Sequence, residues 1–113
     1  MLYILNSPIL TNYGKYKFER ITIEEAKKLL SIQKWISAVG HEATAQFLTL
    51  LLGINIPFNR VSISMTKGDQ ALVFRLKTRL PEGRVLTIEE MKNIDYEIGL
   101  LQKIGGEWRK WII

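Results

Sequence analysis

Cysteine is absent from this chain, and histidine occurs once, at position 41. A chain without cysteine can form no disulfide and has no thiolate nucleophile, and a single histidine is too few for a metal site of the usual cysteine and histidine type. We therefore expect no resident metal and no cofactor. Any chemistry then proceeds without a metal or borrows a hard cation.

Long apolar runs are also missing. No segment approaches the ~18 consecutive apolar residues that span a bilayer. The amino end, MLYILNSPIL, has no basic flank and is interrupted by Asn6 and Pro8, unlike a signal peptide. We expect a cytoplasmic protein.

The length and charge set broad limits on architecture and partners. A chain of 113 residues is the size of one small domain, and 47% hydrophobic residues leave apolar surface for a partner subunit, so a homodimer is plausible. Sixteen Lys and Arg against eleven Asp and Glu give a formal charge of +5, which favours polyanionic partners. This excess does not distinguish duplex DNA from a short ligand that carries phosphates, and a merely soluble basic surface also explains it.

Hydrophobic periodicity predicts alternating strands and helices. Strands are expected at residues 2–5, 15–21 and 96–103, and residues 34–39 form either a short strand or an approach segment. Residues 60–65 and 71–77 are expected to pair as a hairpin around the turn TKGDQ. Helices are expected after Thr22 and Thr87, each the start of a TIEE capping box, and from His41 to a stop at Gly53. These expectations define an α/β domain.

His41 is the first candidate for a functional side chain. It follows Gly40 at the start of the most apolar helix, where backbone amides attract anions and the missing side chain lets a ligand approach. An imidazole beside a bound phosphate is suited to act as a general acid. A locally hydrogen-bonded residue at the start of a helix explains the same position without any function.

Two other segments carry polar groups of interest. In RLPEGR, Arg79 and Arg84 can pair with phosphate oxygens, and the Glu82 carboxylate can hold a histidine in its charged form. The loop NSPILTNYG offers amide, hydroxyl and phenol groups to a purine edge, although turn chemistry selects the same residues. The tail GGEWRKWII (105–113) is a docking strand, an interfacial anchor or a subunit contact, and it stands apart from a domain over residues 1–104.

Three stretches together, SAVGHEATAQFLTLLLG, NRVSISM and TRLPEGRVLTIEE, resemble the small viral ring nucleases that act as type III anti-CRISPR proteins. That family was first catalogued as uncharacterised proteins of archaeal viruses and occurs also in bacteria and mobile elements. The similarity covers about residues 1–103. It implies a single α/β domain with a central mixed sheet flanked by helices, forming a two-fold homodimer that binds cyclic tetra-adenylate across its interface.

The resemblance also implies an activity and a set of residues. The family cleaves cyclic tetra-adenylate to linear di-adenylates with 2′,3′-cyclic phosphate ends, without a metal, and so silences CRISPR effectors in the host cytoplasm. The implied catalytic residues are His41 as general acid, Arg79 as a phosphate contact and Glu82 as the group that orients or charges the histidine. The implied ligand-binding residues are Asn6, Ser7, Pro8, Ile9, Leu10, Thr11, Asn12, Ser37, Gly40 and Arg84.

Two other functions remain open from the sequence. A non-catalytic homodimer of a virus or mobile element could bind duplex nucleic acid through its Lys and Arg residues, with His41 only starting a helix. A scaffold could also sequester a nucleotide without cleaving it. The three possibilities differ in what they predict for cyclic tetra-adenylate, which only the ring nuclease turns over.

Overall fold

The structure is a computed structural model that describes residues 1–7, 13–77 and 87–105. Within these ranges the chain forms five strands and three helices, in the order β1 (Leu2–Leu5), β2 (Lys15–Arg20), α1 (Ile23–Ile32), β3 (Trp35–Ala38), α2 (Glu42–Leu52), β4 (Gln70–Leu76), α3 (Ile88–Lys92) and β5 (Tyr96–Gly105). The predicted strands at both ends of the chain and the three predicted helices are confirmed. Residues 34–39, for which two interpretations were open, contain the short strand β3.

The five strands form one mixed sheet in the order β2-β5-β4-β1-β3. β1 lies in parallel between β3 and β4, with Leu5 opposite Ala38 on one side and Val73 on the other. β5 runs antiparallel to both β4 and β2. The expected α/β class with a mixed sheet is therefore confirmed.

The predicted hairpin between residues 60–65 and 71–77 is wrong. β4 pairs with β1 and β5, and residues 60–65 form no strand. Val61, Ile63 and Met65 do alternate with polar residues, but this spacing places Ile63 and Met65 against the sheet face instead of in a ladder. Period-two alternation reports which side chains are buried, and it does not identify the backbone partner.

Local capping chemistry explains where the helices begin. Thr22 and Thr87 each accept a hydrogen bond from the backbone of the third helical residue, Glu25 or Glu90, whose carboxylate in turn accepts one from the threonine amide. Both predicted capping boxes are present. α2 ends at Gly53, which has the left-handed conformation (φ 72°, ψ 15°) that a glycine adopts without strain.

The three helices contribute their buried side chains to the same core on one face of the sheet. Ala26 of α1, Leu48 of α2 and Met91 of α3 pack in one cluster with Ile4 and Phe74 of the strands. A second, smaller cluster lies on the opposite face and consists of Leu5, Ala38, Met65, Ala71, Val73 and Leu101. No helix of the described residues contributes to this cluster, and we call this opposite face the helix-free face. No helix in the described part of the chain is long and apolar enough to cross a membrane.

Candidate functional site

Three parallel strands end at one edge of the sheet. Asn6 follows β1 there, Gly40 and His41 follow β3, and Lys77 follows β4. The side-chain oxygen of Asn6 accepts a hydrogen bond from the backbone amide of Gly40 at 3.3 Å, so the ends of β1 and β3 are tied together. In open α/β sheets, ligands bind in the crevice outside the carboxyl ends of the strands.

A cavity of about 280 Å³ opens at this edge, on the helix-free face. It is bordered by the ends of β1 and β3 on one side and by the segment after α2 on the other, and its lining residues are Leu5, Asn6, Ser7, Ala38, Gly40, Arg60, Val61, Ser62 and Ile63. Three residues predicted to bind a ligand, Asn6, Ser7 and Gly40, are therefore brought together.

His41 occupies the N-cap position of α2, directly after Gly40, and is partly exposed. Its Nδ1 accepts a hydrogen bond from the backbone amide of Thr44 at 3.3 Å. Because Nδ1 is an acceptor in this arrangement, the hydrogen of the neutral ring is on Nε2. The imidazole thus caps a helix through Nδ1.

The Thr44 hydroxyl lies 3.2 Å from the same Nδ1 atom, and Thr44 itself is buried. A hydroxyl can donate to the unprotonated nitrogen of a neutral ring, or accept from the N–H of a charged ring. A backbone amide can only donate. The side chain of Thr44 is therefore able to hold His41 in either protonation state.

Ser37 does not line the cavity. It is 3% exposed, and its hydroxyl donates to the carbonyl oxygen of Pro57 at 2.7 Å. Its own carbonyl accepts from the side-chain amide of Asn59 at 2.6 Å. In the described structure Ser37 holds the segment after α2 against β3. The alternation of side chains along the strand turns the Ser37 side chain away from the helix-free face, so it does not reach the cavity where a ligand contact was expected.

Arg60 is a site residue that the sequence did not single out. Its side chain is exposed at the cavity, and within the described ranges no carboxylate forms an ion pair with it. The stem of Arg60 lies over Gly40, where a Cβ atom would come within 3.3 Å of Cγ. The glycine thus makes room for an arginine of the same chain. The only sequence signal was the Asn-Arg-Val stretch within the family resemblance.

The remaining predicted site residues lie outside the described residues. They are Pro8, Ile9, Leu10, Thr11, Asn12, Arg79, Glu82 and Arg84. The same holds for residues 106–113, so the proposed division into a domain and a tail stays a prediction. Lys77, the last described residue before Arg79, stands at the carboxyl end of β4, the edge where β1 and β3 also end.

The main charge cluster of the described structure is built around Glu97 of β5, which does not line the cavity. Its carboxylate lies 2.9 Å from Arg20, 3.2 Å from Lys77 and 3.7 Å from Arg75. The hydrogen bond from Lys77 and the charge of Arg20 lower the pKa of Glu97, with a further contribution from Arg75. This cluster stabilises the ionised carboxylate and ties the adjacent strands β2, β5 and β4 together.

Proteins of two archaeal viruses and of a bacterium are similar to this chain over most of its length. The chain is 47% identical over 112 residues to uncharacterized protein 26 of Sulfolobus islandicus filamentous virus, with 95% of each chain covered. It is 36% identical over 110 residues to uncharacterized protein ORF117 of Acidianus two-tailed virus, covering 92% of this chain and 94% of the relative. It is also 39% identical over 102 residues to uncharacterized protein YddF of Bacillus subtilis, covering 88% and 94%.

A solved structure shares the fold. Protein B116 of Sulfolobus turreted icosahedral virus superposes with a TM-score of 0.72, covering 89% of this chain and 97% of that one, at 23% sequence identity. The family model described as STIV B116-like matches residues 2–98. The relatives named above come from archaeal viruses and from a bacterium. The chain belongs to the STIV B116-like family.

Proposed function

We propose that this protein is a metal-independent ring nuclease that cleaves cyclic tetra-adenylate and thereby antagonises type III CRISPR signalling in the cytoplasm of its host. The observation that carries the proposal is the position of His41. The one imidazole of the chain starts an eleven-residue helix, α2, and follows the glycine that lines a cavity at the carboxyl edge of parallel strands. That edge also carries Arg60, an exposed cation suited to a phosphate.

The reaction needs a general acid and no protein nucleophile. The 2′-hydroxyl of one adenosine attacks its own 3′ phosphorus, its proton passes to solvent, and the bond from phosphorus to the 5′ oxygen of the next nucleotide breaks. His41, in its charged form, gives the Nε2 hydrogen to that departing oxygen. The products are a 2′,3′-cyclic phosphate and a 5′-hydroxyl, and two cuts in a ring of four yield two linear di-adenylates.

Cationic groups stabilise the transition state in this proposal. Charge develops on the phosphoryl oxygens, and a guanidinium can bind two of them through paired hydrogen bonds. Arg60 is positioned for this role at the cavity. Arg79, as the resemblance implies, is a second phosphate contact, and Glu82 orients or charges His41. Both follow β4, which ends at the same edge of the sheet as the cavity.

A homodimer fits the surface around the cavity. Ile36 of β3, and Phe58 and Val61 of the segment after α2, are 40%, 48% and 48% exposed, so apolar surface is available to a partner subunit. Ile36 is opposite Tyr3 in the parallel pair and so faces the helix-free side, and Val61 lines the cavity itself. A two-fold axis at this surface would place two cavities, and two copies of His41, on one ring.

The test is incubation of the protein with cyclic tetra-adenylate in EDTA, followed by chromatography of the products. We expect linear di-adenylates that carry 2′,3′-cyclic phosphate ends. The duplex-binding alternative predicts an intact ring, together with duplex affinity that falls steeply as salt is added. Tight binding of the ring without product would support the sequestering scaffold. Either of these results would overturn the proposed activity.

A further inference from the structure

We propose that Asn59 and Gly40 are positioning residues that fix the side chain of Arg60 at the cavity. The affinity for cyclic tetra-adenylate therefore depends on both residues, and it does so through the Arg60 guanidinium. The inference rests on the proposed function, since it takes cyclic tetra-adenylate as the ligand. Both residues act through Arg60. Asn59 holds the backbone directly before it, and Gly40 leaves space for its side chain.

The first observation concerns how the segment from Pro57 to Ile63, here called the strap, is attached to β3. The strap forms no strand, so it lacks a continuous ladder of hydrogen bonds. Asn59 supplies two attachments: its backbone amide donates to the carbonyl oxygen of Val39 at 2.9 Å, and its side-chain amide donates to that of Ser37 at 2.6 Å. Both hold the residue directly before Arg60.

A second contact fixes the strap two residues earlier. The Ser37 hydroxyl donates to the carbonyl oxygen of Pro57 at 2.7 Å, so a pair of hydrogen bonds, at Pro57 and at the Asn59 side chain, holds the strap to Ser37. Ser37 is 3% exposed, and buried polar groups of this kind are costly to leave unpaired. The pair therefore determines where the chain lies when it reaches Arg60.

The third observation is steric and independent of these hydrogen bonds. At Gly40 an added Cβ atom would come within 3.3 Å of Cγ and 3.7 Å of Cα of Arg60. The stem of Arg60 therefore rests directly on the glycine, at the end of β3. A methyl group at position 40 would displace this flexible stem without removing the guanidinium.

These contacts matter for binding because an arginine side chain has many rotatable bonds. Holding its backbone and stem in place reduces the rotamer freedom that ligand binding must otherwise restrict. The forked geometry of a guanidinium makes its contact with a phosphate sensitive to small displacements. Asn59 and Gly40 thus act on the ligand through Arg60, and removing Arg60 should remove their effect.

The experiment is a pair of double-mutant cycles in the full chain. Ring affinity is measured by calorimetry in the His41→Asn background, which we expect to bind without turnover. The variants are Asn59→Ala, Gly40→Ala and Arg60→Ala, with each of the first two also combined with the third. Asn55→Ala, the loss of an exposed amide in the loop before the strap, is the matched control.

We expect Arg60→Ala and Asn59→Ala each to weaken binding of cyclic tetra-adenylate about tenfold or more, as for the loss or misplacement of a charge-assisted contact. Gly40→Ala shifts the Arg60 stem only slightly and should weaken binding less, about fivefold. When Arg60→Ala is already present, Asn59→Ala and Gly40→Ala should change affinity less than about twofold, which is the signature of coupled residues. Asn59→Ala should lower the melting temperature by the same amount whether position 60 is arginine or alanine. Asn55→Ala should alter none of these values.

Other results separate this inference from the proposed function. If the His41→Asn protein does not bind the ring and the parent does not cleave it, the proposed function fails. If the ring binds but the effects of Asn59→Ala and Gly40→Ala persist in the Arg60→Ala background, the positioning role is overturned. Should Asn59→Ala fail to fold, the Gly40 cycle alone decides, because that substitution removes no hydrogen-bonding group from the strap.

Discussion

The backbone amide of Thr44 lies 3.3 Å from Nδ1 of His41, and the hydroxyl of the same threonine lies 3.2 Å from that atom. One residue therefore contacts Nδ1 of this imidazole through both its backbone and its side chain. The neutral ring is held by both groups, whereas a charged ring can keep only the hydroxyl, which turns from donor to acceptor. This relationship connects the cap of α2 with the acid that the proposed reaction requires.

Removing the Thr44 hydroxyl should slow cleavage. In Thr44→Val the charged ring loses its acceptor at Nδ1, and a hydrogen bond to a charged group contributes about 1.5–3 kcal/mol, so we expect a loss of about 10- to 100-fold in kcat. Thr44→Ser retains the hydroxyl and should remain close to the parent. Single-turnover cleavage of labelled cyclic tetra-adenylate measures the rates of both variants. Equal rates in the valine and serine variants would show that the hydroxyl has no part in the reaction.

Replacing His41 should also affect stability, because the side chain caps α2. His41→Ala leaves the Thr44 amide without its acceptor, and we expect a loss of about 0.5–2 kcal/mol in the free energy of unfolding. His41→Asn should lose little, because asparagine is among the best N-cap residues. Urea denaturation of the parent and the two variants tests this. A stability of the alanine variant equal to that of the parent would mean that the cap contributes nothing.

The starts of the three helices and the end of α2 could be predicted from the sequence, because the signals are local. Thr22 and Glu25, or Thr87 and Glu90, identify a helix start by their own spacing, and Gly53 marks a stop. β1 is recognisable as a short apolar run that turn residues end. These features need no knowledge of what the chain packs against.

The strap and Arg60 could not be predicted in this way. The alternation of Val61, Ile63 and Met65 resembles a strand, yet the backbone there is attached to β3 through Asn59 and forms no ladder. Arg60 comes to the cavity because its stem rests on Gly40, a contact between residues twenty positions apart. Likewise, the sequence does not show that the hydroxyl of Ser37, which the resemblance implies as a ligand contact, donates to the carbonyl oxygen of Pro57.

The turn at Gly53 should tolerate few other residues. Its φ of 72° lies in the left-handed region, although no neighbouring atom lies within 4 Å of an added Cβ. The cost of Gly53→Ala therefore comes from backbone strain alone, about 1 kcal/mol, and Gly53→Asn should cost less. Thermal or urea unfolding of the two variants measures the difference. Equal stability for alanine and glycine would contradict this reason.

The Glu97 cluster predicts how stability depends on pH. The pKa of Glu97 is lowered in the folded protein by Lys77 and Arg20, so the folded state favours the ionised carboxylate. Its contribution is complete above the pKa of a glutamate in the unfolded chain, about 4.3, and disappears as the pH falls through the lower folded value. The difference in stability between the parent and Glu97→Gln should therefore be constant above about pH 5 and shrink as the pH falls from about 5 to about 3. A constant difference across that range would exclude this origin.

The measurement that tests the central claim most directly is cleavage of labelled cyclic tetra-adenylate by His41→Asn in EDTA, compared with the parent. Asparagine retains the cap of α2 but has no proton to give, so the fold is preserved while the acid is removed. We predict that cleavage falls about 100- to 10,000-fold while the ring still binds. Parental cleavage by the asparagine variant would show that His41 only begins a helix.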